Sequence, residues 1–106
     1  MHEYHKTHRS GEVVHDREHL YIDGAWVEPS GSGVIEVINP TTEEAIGSVP
    51  IGDSSDVDRA VDAAQREFPK WSQTTVESRV ETLNALSSTI KDREEELAQL
   101  ITAEVG

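Results

Sequence analysis

Val34-Ile35-Glu36-Val37-Ile38-Asn39-Pro40, then Ala45-Ile46-Gly47-Ser48-Val49-Pro50, then Asp53-Ser54-Ser55-Asp56-Val57-Asp58-Arg59-Ala60-Val61, is the stretch that decides the fold. The first run is rich in β-branched residues and stops at Asn-Pro, where proline removes a donor and pushes its neighbour towards extended geometry. A polar turn, Thr41-Thr42-Glu43-Glu44, leads to a second short strand closed by Pro50. The third run opens with clustered capping residues, so a helix is expected from Asp53 or Ser54. Its apolar side chains, Val57, Ala60, Val61, Ala64 and Phe68, have the spacing of one helix face. Asp56 and Asp58 fall in the first turn, where the helix dipole favours carboxylates by about 0.3 to 1 kcal/mol. Paired acids invite an acid–base reading, but at a solvent-facing helix start they are assigned to capping. Asp62 and Arg66 read as a surface pair, and Pro69 is expected to end the helix.

Working outward, Asp23-Gly24 between Tyr21-Ile22 and Ala25-Trp26-Val27 is a hairpin signal, because a type I′ turn needs positive φ that Asp and Gly tolerate. Pro29-Ser30-Gly31-Ser32-Gly33 is a flexible turn without phosphate-loop spacing. Downstream, Thr75 caps a helix whose apolar face runs Val76, Val80, Leu83, Leu86 and Ile90. A single helix on to Val105 would be unusually long, and Asp92 followed by Glu95 resembles a capping box, so a second helix is expected from there. It carries Leu97, Leu100, Ile101 and Val105, with Gly106 in the position of an αL cap. Residues 1–19 read as a disordered, His-rich tail holding His2, His5, His8, His15 and His19. His15 and His19 would share a helix face as metal ligands, and Ser10, His15 and Asp16 include the residue types of a hydrolase triad. Neither reading has an apolar frame to fix its geometry.

Twenty-one acids against nine Lys and Arg leave a formal charge of −12, which argues against nucleic acid and anionic membranes as partners. Only three of the bases are lysines, Lys6, Lys70 and Lys91. An acidic, lysine-poor surface points to a halophilic protein, working where salt screens its self-repulsion, with an ordinary acidic bacterial-type protein as the competing reading. No apolar run is long enough to span a bilayer and the first residues lack a secretory h-region, so the expected location is cytoplasmic. There is no cysteine, hence neither a disulfide nor a thiol nucleophile.

Taken together, the hairpin Tyr21-Ile22-Asp23-Gly24-Ala25-Trp26-Val27, the extended Val37-Ile38-Asn39-Pro40, the helix from Asp56 to Ala64 and Trp71 beyond it resemble the start of an aldehyde dehydrogenase. The resemblance covers residues 20–106. It implies an α/β fold, with an N-terminal hairpin and short strands followed by two or three helices, forming an incomplete part of a cofactor-binding domain. It also implies an NAD(P)-dependent oxidoreductase that converts an aldehyde to its acid and is a homo-oligomer when complete. In that family the cysteine nucleophile, the glutamate base, the oxyanion asparagine and the cofactor loops lie beyond residue 106. No catalytic or NAD-binding residue is therefore assigned, and the chain alone is expected to be inactive. A monovalent-cation site of some members would correspond to the carbonyls of Val37 and Ile38 and the side chain of Glu104; the alternative is a strand end and a helix-end glutamate making local hydrogen bonds. The expectation is a truncated or split N-terminal segment, with the remainder of the enzyme as its partner. The competing readings are a coiled-coil interaction module over residues 76–105 and a vestigial product without activity.

Overall fold

The structure, a computed structural model, describes residues 3–7 and 13–106, with side chains from His15 onward. Strands β1 (Glu3–Thr7) and β2 (Val13–Arg17) come first. The hairpin of β3 (Leu20–Ile22) and β4 (Ala25–Val27) follows, then that of β5 (Val34–Ile38) and β6 (Ala45–Pro50). Helices α1 (Ser54–Trp71), α2 (Val76–Asp92) and α3 (Glu94–Val105) complete the chain. The architecture is mixed α/β. One sheet runs β1-β2-β6-β5, with β2 parallel to β6 and the other pairs antiparallel, and β3-β4 stands as a separate ribbon.

Local chemistry explains most of these elements. The short hairpin turns through Asp23 and Gly24 at φ 55° and 73°, the positive pair a type I′ turn requires. Cross-strand Tyr21 and Trp26 meet edge-on with ring centroids 5.1 Å apart. In the longer hairpin, Asn39 closes the loop. Its Oδ1 accepts the Thr41 N–H at 2.9 Å and its carbonyl accepts the Glu43 N–H at 2.8 Å. The side chain thus supplies an acceptor beside the proline, where the ladder has run out. Thr75 caps α2 by accepting the Ser78 N–H at 3.1 Å, and Gly106, at φ 92°, closes α3 by donating to the Thr102 carbonyl at 2.9 Å.

Several expectations are corrected. Val13–Arg17, assigned to a tail, forms β2, because β-branched Val13 and Val14 suit a strand and β6 offers an edge to pair with. Pro69 does not end α1, which continues to Trp71. In the last turn the proline costs only the donor to the Gln65 carbonyl, while the Ser72 N–H still reaches the Phe68 carbonyl at 2.8 Å. Arg66 pairs not with Asp62 but with Asp23 across the hairpin, at 3.3 Å. The break after Asp92 is present, at Arg93 with φ −108° and ψ 17°, yet no side chain caps α3. Glu95 instead accepts from Gln99, and Arg93 grips Glu96 at 2.6 and 2.9 Å. That break also divides residues 76–105 into two helices rather than one coiled-coil seam. The expectations for His2, His8, Ser10 and the His5 side chain lie outside the described residues.

Burial is sparse. Among the described residues only Gly47 and Asp56 are buried, and no large side chain is fully enclosed. The radius of gyration is 17.3 Å, where a compact domain of this length would have about 13 Å. The apolar stripes of α1, α2 and α3 face outward: Val57, Val61, Phe68, Leu83, Leu86 and Ile101 are each more than half exposed.

Candidate functional site

A concavity of about 650 Å³ lies between the four-stranded sheet and α3. Its floor is apolar, from Val37, Ile46 and Val49, with Leu100 and Ala103 opposite. Its rim is charged: β2 contributes His15 and Arg17, and α3 contributes Glu95, Glu96 and Glu104. The alternation of a strand sends His15 and Arg17 to one face and Asp16 to the other. Glu96 is held below the usual carboxylate range, chiefly by its hydrogen bond to the Arg93 guanidinium. Partial desolvation opposes that shift, and the fields of Arg17 and His15 add to it.

The expected cation ligands are brought together in part. Val37 and Glu104 line this one concavity with Asn39, whereas Ile38 does not. The β5–β6 register slips between Val37 and Ile38, and such a bulge takes a backbone group out of the ladder. Among the described residues no cluster of three or more His, Asp or Glu could hold a metal ion. His15 and His19 do not share a helix face. His15 sits on β2, and His19 Nε2 lies 3.0 Å from Glu28 Oε1. Nor do His15 and Asp16 form part of a triad, since Asp16 accepts the Ser48 hydroxyl at 2.9 Å on the other side of the strand.

The first turn of α1 holds a second polar centre that the sequence reading placed in solvent. Asp56 is only 3% exposed. It completes a capping box with Asp53 and accepts the Asp53 N–H at 3.0 Å. It also takes the Ser30 N–H at 3.1 Å, the Ser30 hydroxyl at 2.9 Å and the Arg59 guanidinium. The Asp53 N–H is the largest influence holding its carboxyl far below the usual range; burial opposes it, and Arg59 and Ser30 reinforce it. Asp56 therefore ties the Pro29–Gly33 turn to the start of α1, a structural task with no proton to transfer near neutral pH. No local signal pointed to Ser30, which lies 26 residues away.

These helix ends do not fit a dinucleotide. A pyrophosphate binds where helical N–H groups stand open to an anion. The start of α1 is closed by its own Asp53 and Asp56, α2 by Thr75, and the first turn of α3 carries Glu94, Glu95 and Glu96. Among the described residues, no helix is long and apolar enough to cross a membrane.

The sequence profile of the aldehyde dehydrogenase family matches residues 26–106. A 3-succinoylsemialdehyde-pyridine dehydrogenase from a Pseudomonas species is 41% identical over 93 residues, 88% of this chain and 20% of that protein. The crystal structure of aldehyde dehydrogenase from Bartonella henselae superposes with a TM-score of 0.81 at 30% identity, over 83% of this chain and 18% of that one. A variant of Pseudomonas syringae aldehyde dehydrogenase C, solved with NAD+ and octanal, gives a TM-score of 0.79 at 38% identity, over 94% of this chain and 20% of that one. The chain thus spans about a fifth of the length of the relatives it matches, and the segment it corresponds to is N-terminal in them.

Proposed function

The chain belongs to the aldehyde dehydrogenase family, and on that premise we propose that it supplies the N-terminal α/β segment of an enzyme oxidising an aldehyde to its acid with NAD or NADP. The observation that carries this reading is the order of elements: hairpin, strand pair closed by Asn39-Pro40, capped α1, then α2 and α3, superposing on a relative solved with NAD+ and octanal. The segment's own role is architectural. Asp56 fixes the approach of the chain into α1, and α1–α3 present apolar stripes for the remainder of the enzyme to cover. No step of the reaction is assigned to these residues, since the chain has no cysteine to attack the aldehyde and, among the described residues, the helix starts are closed by Asp53, Asp56 and Thr75 or carry acids.

Three finer parts belong to this proposal. A monovalent cation would sit between the Val37 and Ile38 carbonyls and Glu104, supported by the concavity that Val37 and Glu104 share and by the bulge at Val37/Ile38; oxygen ligands suit a hard cation. The acidic, lysine-poor composition supports a cytoplasmic enzyme working in high salt. A homo-oligomer of the complete enzyme, with no nucleic-acid or membrane partner, goes with that reading.

Complementation tests the function. The chain alone, given NAD+ and an aldehyde, is expected to form no NADH above buffer by absorbance at 340 nm. Mixed with a Pseudomonas relative lacking its matching N-terminal fifth, it is expected to form a complex and restore NADH formation. Aldehyde-dependent NADH from the chain alone, or no association in the mixture, overturns the proposal.

A further inference from the structure

Ser72-Gln73-Thr74-Thr75 turns the chain from α1 into α2, and beyond that corner the two helices scarcely approach one another. With no packed seam between them, ridges and grooves do not set their angle. Arg79, at the close of the first turn of α2, ties the corner instead. Its Nε donates to Thr74 Oγ1 at 3.0 Å, and its Nη2 donates to the Ser72 carbonyl at 3.1 Å and the Trp71 carbonyl at 3.3 Å. The guanidinium carbon also lies 5.9 Å from the centroid of the Trp71 ring, within reach of a cation–π attraction. The Thr74 hydroxyl completes the knot by donating to the Trp71 carbonyl at 2.7 Å. A cation gains nothing from α2 so close to the positive end of that helix, whereas the closing carbonyls of α1 attract it. Arg79 therefore serves the end of α1 rather than its own helix.

On either side of this corner, Phe68 of α1 and Leu83, Leu86 and Ile90 of α2 are more than half exposed. The chain spans 20% of the relatives it matches, so the larger part of such an enzyme is available to cover them. We propose that Arg79 presets the elbow between α1 and α2, so that their apolar stripes meet the remainder of the enzyme as one ready-made surface. The assembly half of this rests on the function proposed above; the elbow itself does not. Arg79 is a positioning residue for that surface, acting through the two helices it joins. A preset elbow spares association the cost of ordering the helix pair. Lysine would keep the charge, but it lacks the fork that spans a hydroxyl and two carbonyls and the plane that faces Trp71.

The chain contains no cysteine, so Asp62→Cys on α1 and Ser88→Cys on α2, both exposed, place a pair of nitroxide labels on the full chain. Their dipolar distance distribution is expected to hold one narrow population. Arg79→Gln and Arg79→Lys should each broaden it about twofold or more, with helical ellipticity at 222 nm unchanged. Thr74→Val, which keeps Arg79 and removes only the acceptor of its Nε, should fall between. Association of the labelled chain with the Pseudomonas relative lacking its N-terminal fifth should weaken about tenfold or more with Arg79→Gln, and the distribution should return to the parent's width in the complex. A distribution as narrow in Arg79→Gln as in the parent overturns the elbow. Broadening with unchanged affinity overturns its part in assembly. Helical ellipticity lost in Arg79→Gln and Thr74→Val alike would make Arg79 a stabiliser of the helices rather than of their angle, and also overturns the proposal. Failure of the parent chain to associate refutes the function proposed above, while the distances in the free chain still decide the elbow.

Discussion

Replacing Phe68 and Leu83 by alanine measures how far the helix faces are covered within this chain. In a closed core, Phe→Ala costs about 3–5 kcal/mol and Leu→Ala about 2–5 kcal/mol. Here Phe68 is 66% exposed and Leu83 64%, so roughly a third of each side chain is withdrawn from water. The expected losses scale down accordingly, to about 1–1.5 kcal/mol for each substitution. Alanine's better helix propensity offsets a few tenths of that. The two sites lie on different helices, so their effects should add, to about 2–3 kcal/mol for the double variant. The assay is urea denaturation of the 106-residue chain followed by circular dichroism at 222 nm. ANS fluorescence is read in parallel: the unsubstituted chain is expected to bind the dye and the double variant to bind less, because its exposed apolar stripe is smaller. A loss above about 3 kcal/mol from Leu83→Ala alone, with no ANS binding by the parent chain, would show that these faces are already packed. The reasoning would then be wrong.

With a formal charge of −12, the chain is expected to gain helical ellipticity between low salt and 2 M KCl as repulsion is screened; ellipticity that is unchanged or lower refutes this. Thr75→Ala removes the side-chain acceptor of the Ser78 N–H and should cost about 0.5–2 kcal/mol, seen as a lower urea midpoint with fraying confined to α2 in hydrogen exchange. Because the folded carboxyl of Asp56 is held far below its ordinary value, its stabilisation is fully present above pH of about 4. It is lost as pH falls below that, where the unfolded chain takes up the proton first. Asp56→Asn should therefore lower stability at pH 7 and flatten the acid limb of the urea midpoint between about pH 5 and pH 2; an unchanged acid limb would show that other carboxylates carry it.

Features set by near neighbours could be read from the chain itself. The Asp23-Gly24 turn, the Asn39-Pro40 strand end, the Thr75 cap and the break before α3 each depend on residues a few positions apart, whose φ preferences and short side-chain bonds are encoded locally. The local reading failed where a weak preference was outweighed. Pro69 was overruled by a helix needing only one more satisfied turn, and the Asp92 capping box lost to Arg93 reaching Glu96. Gly47 had a sequence signal, since glycine inside a strand marks a close backbone approach, but nothing in the sequence named His15 as the chain that approaches. Only the tertiary structure decided that Asp56 is buried under Ser30, that Asp16 meets Ser48 and that Arg66 turns to Asp23, contacts spanning 26, 32 and 43 residues. Such pairs are chosen by the path of the backbone through the sheet, and side-chain periodicity holds no record of that path.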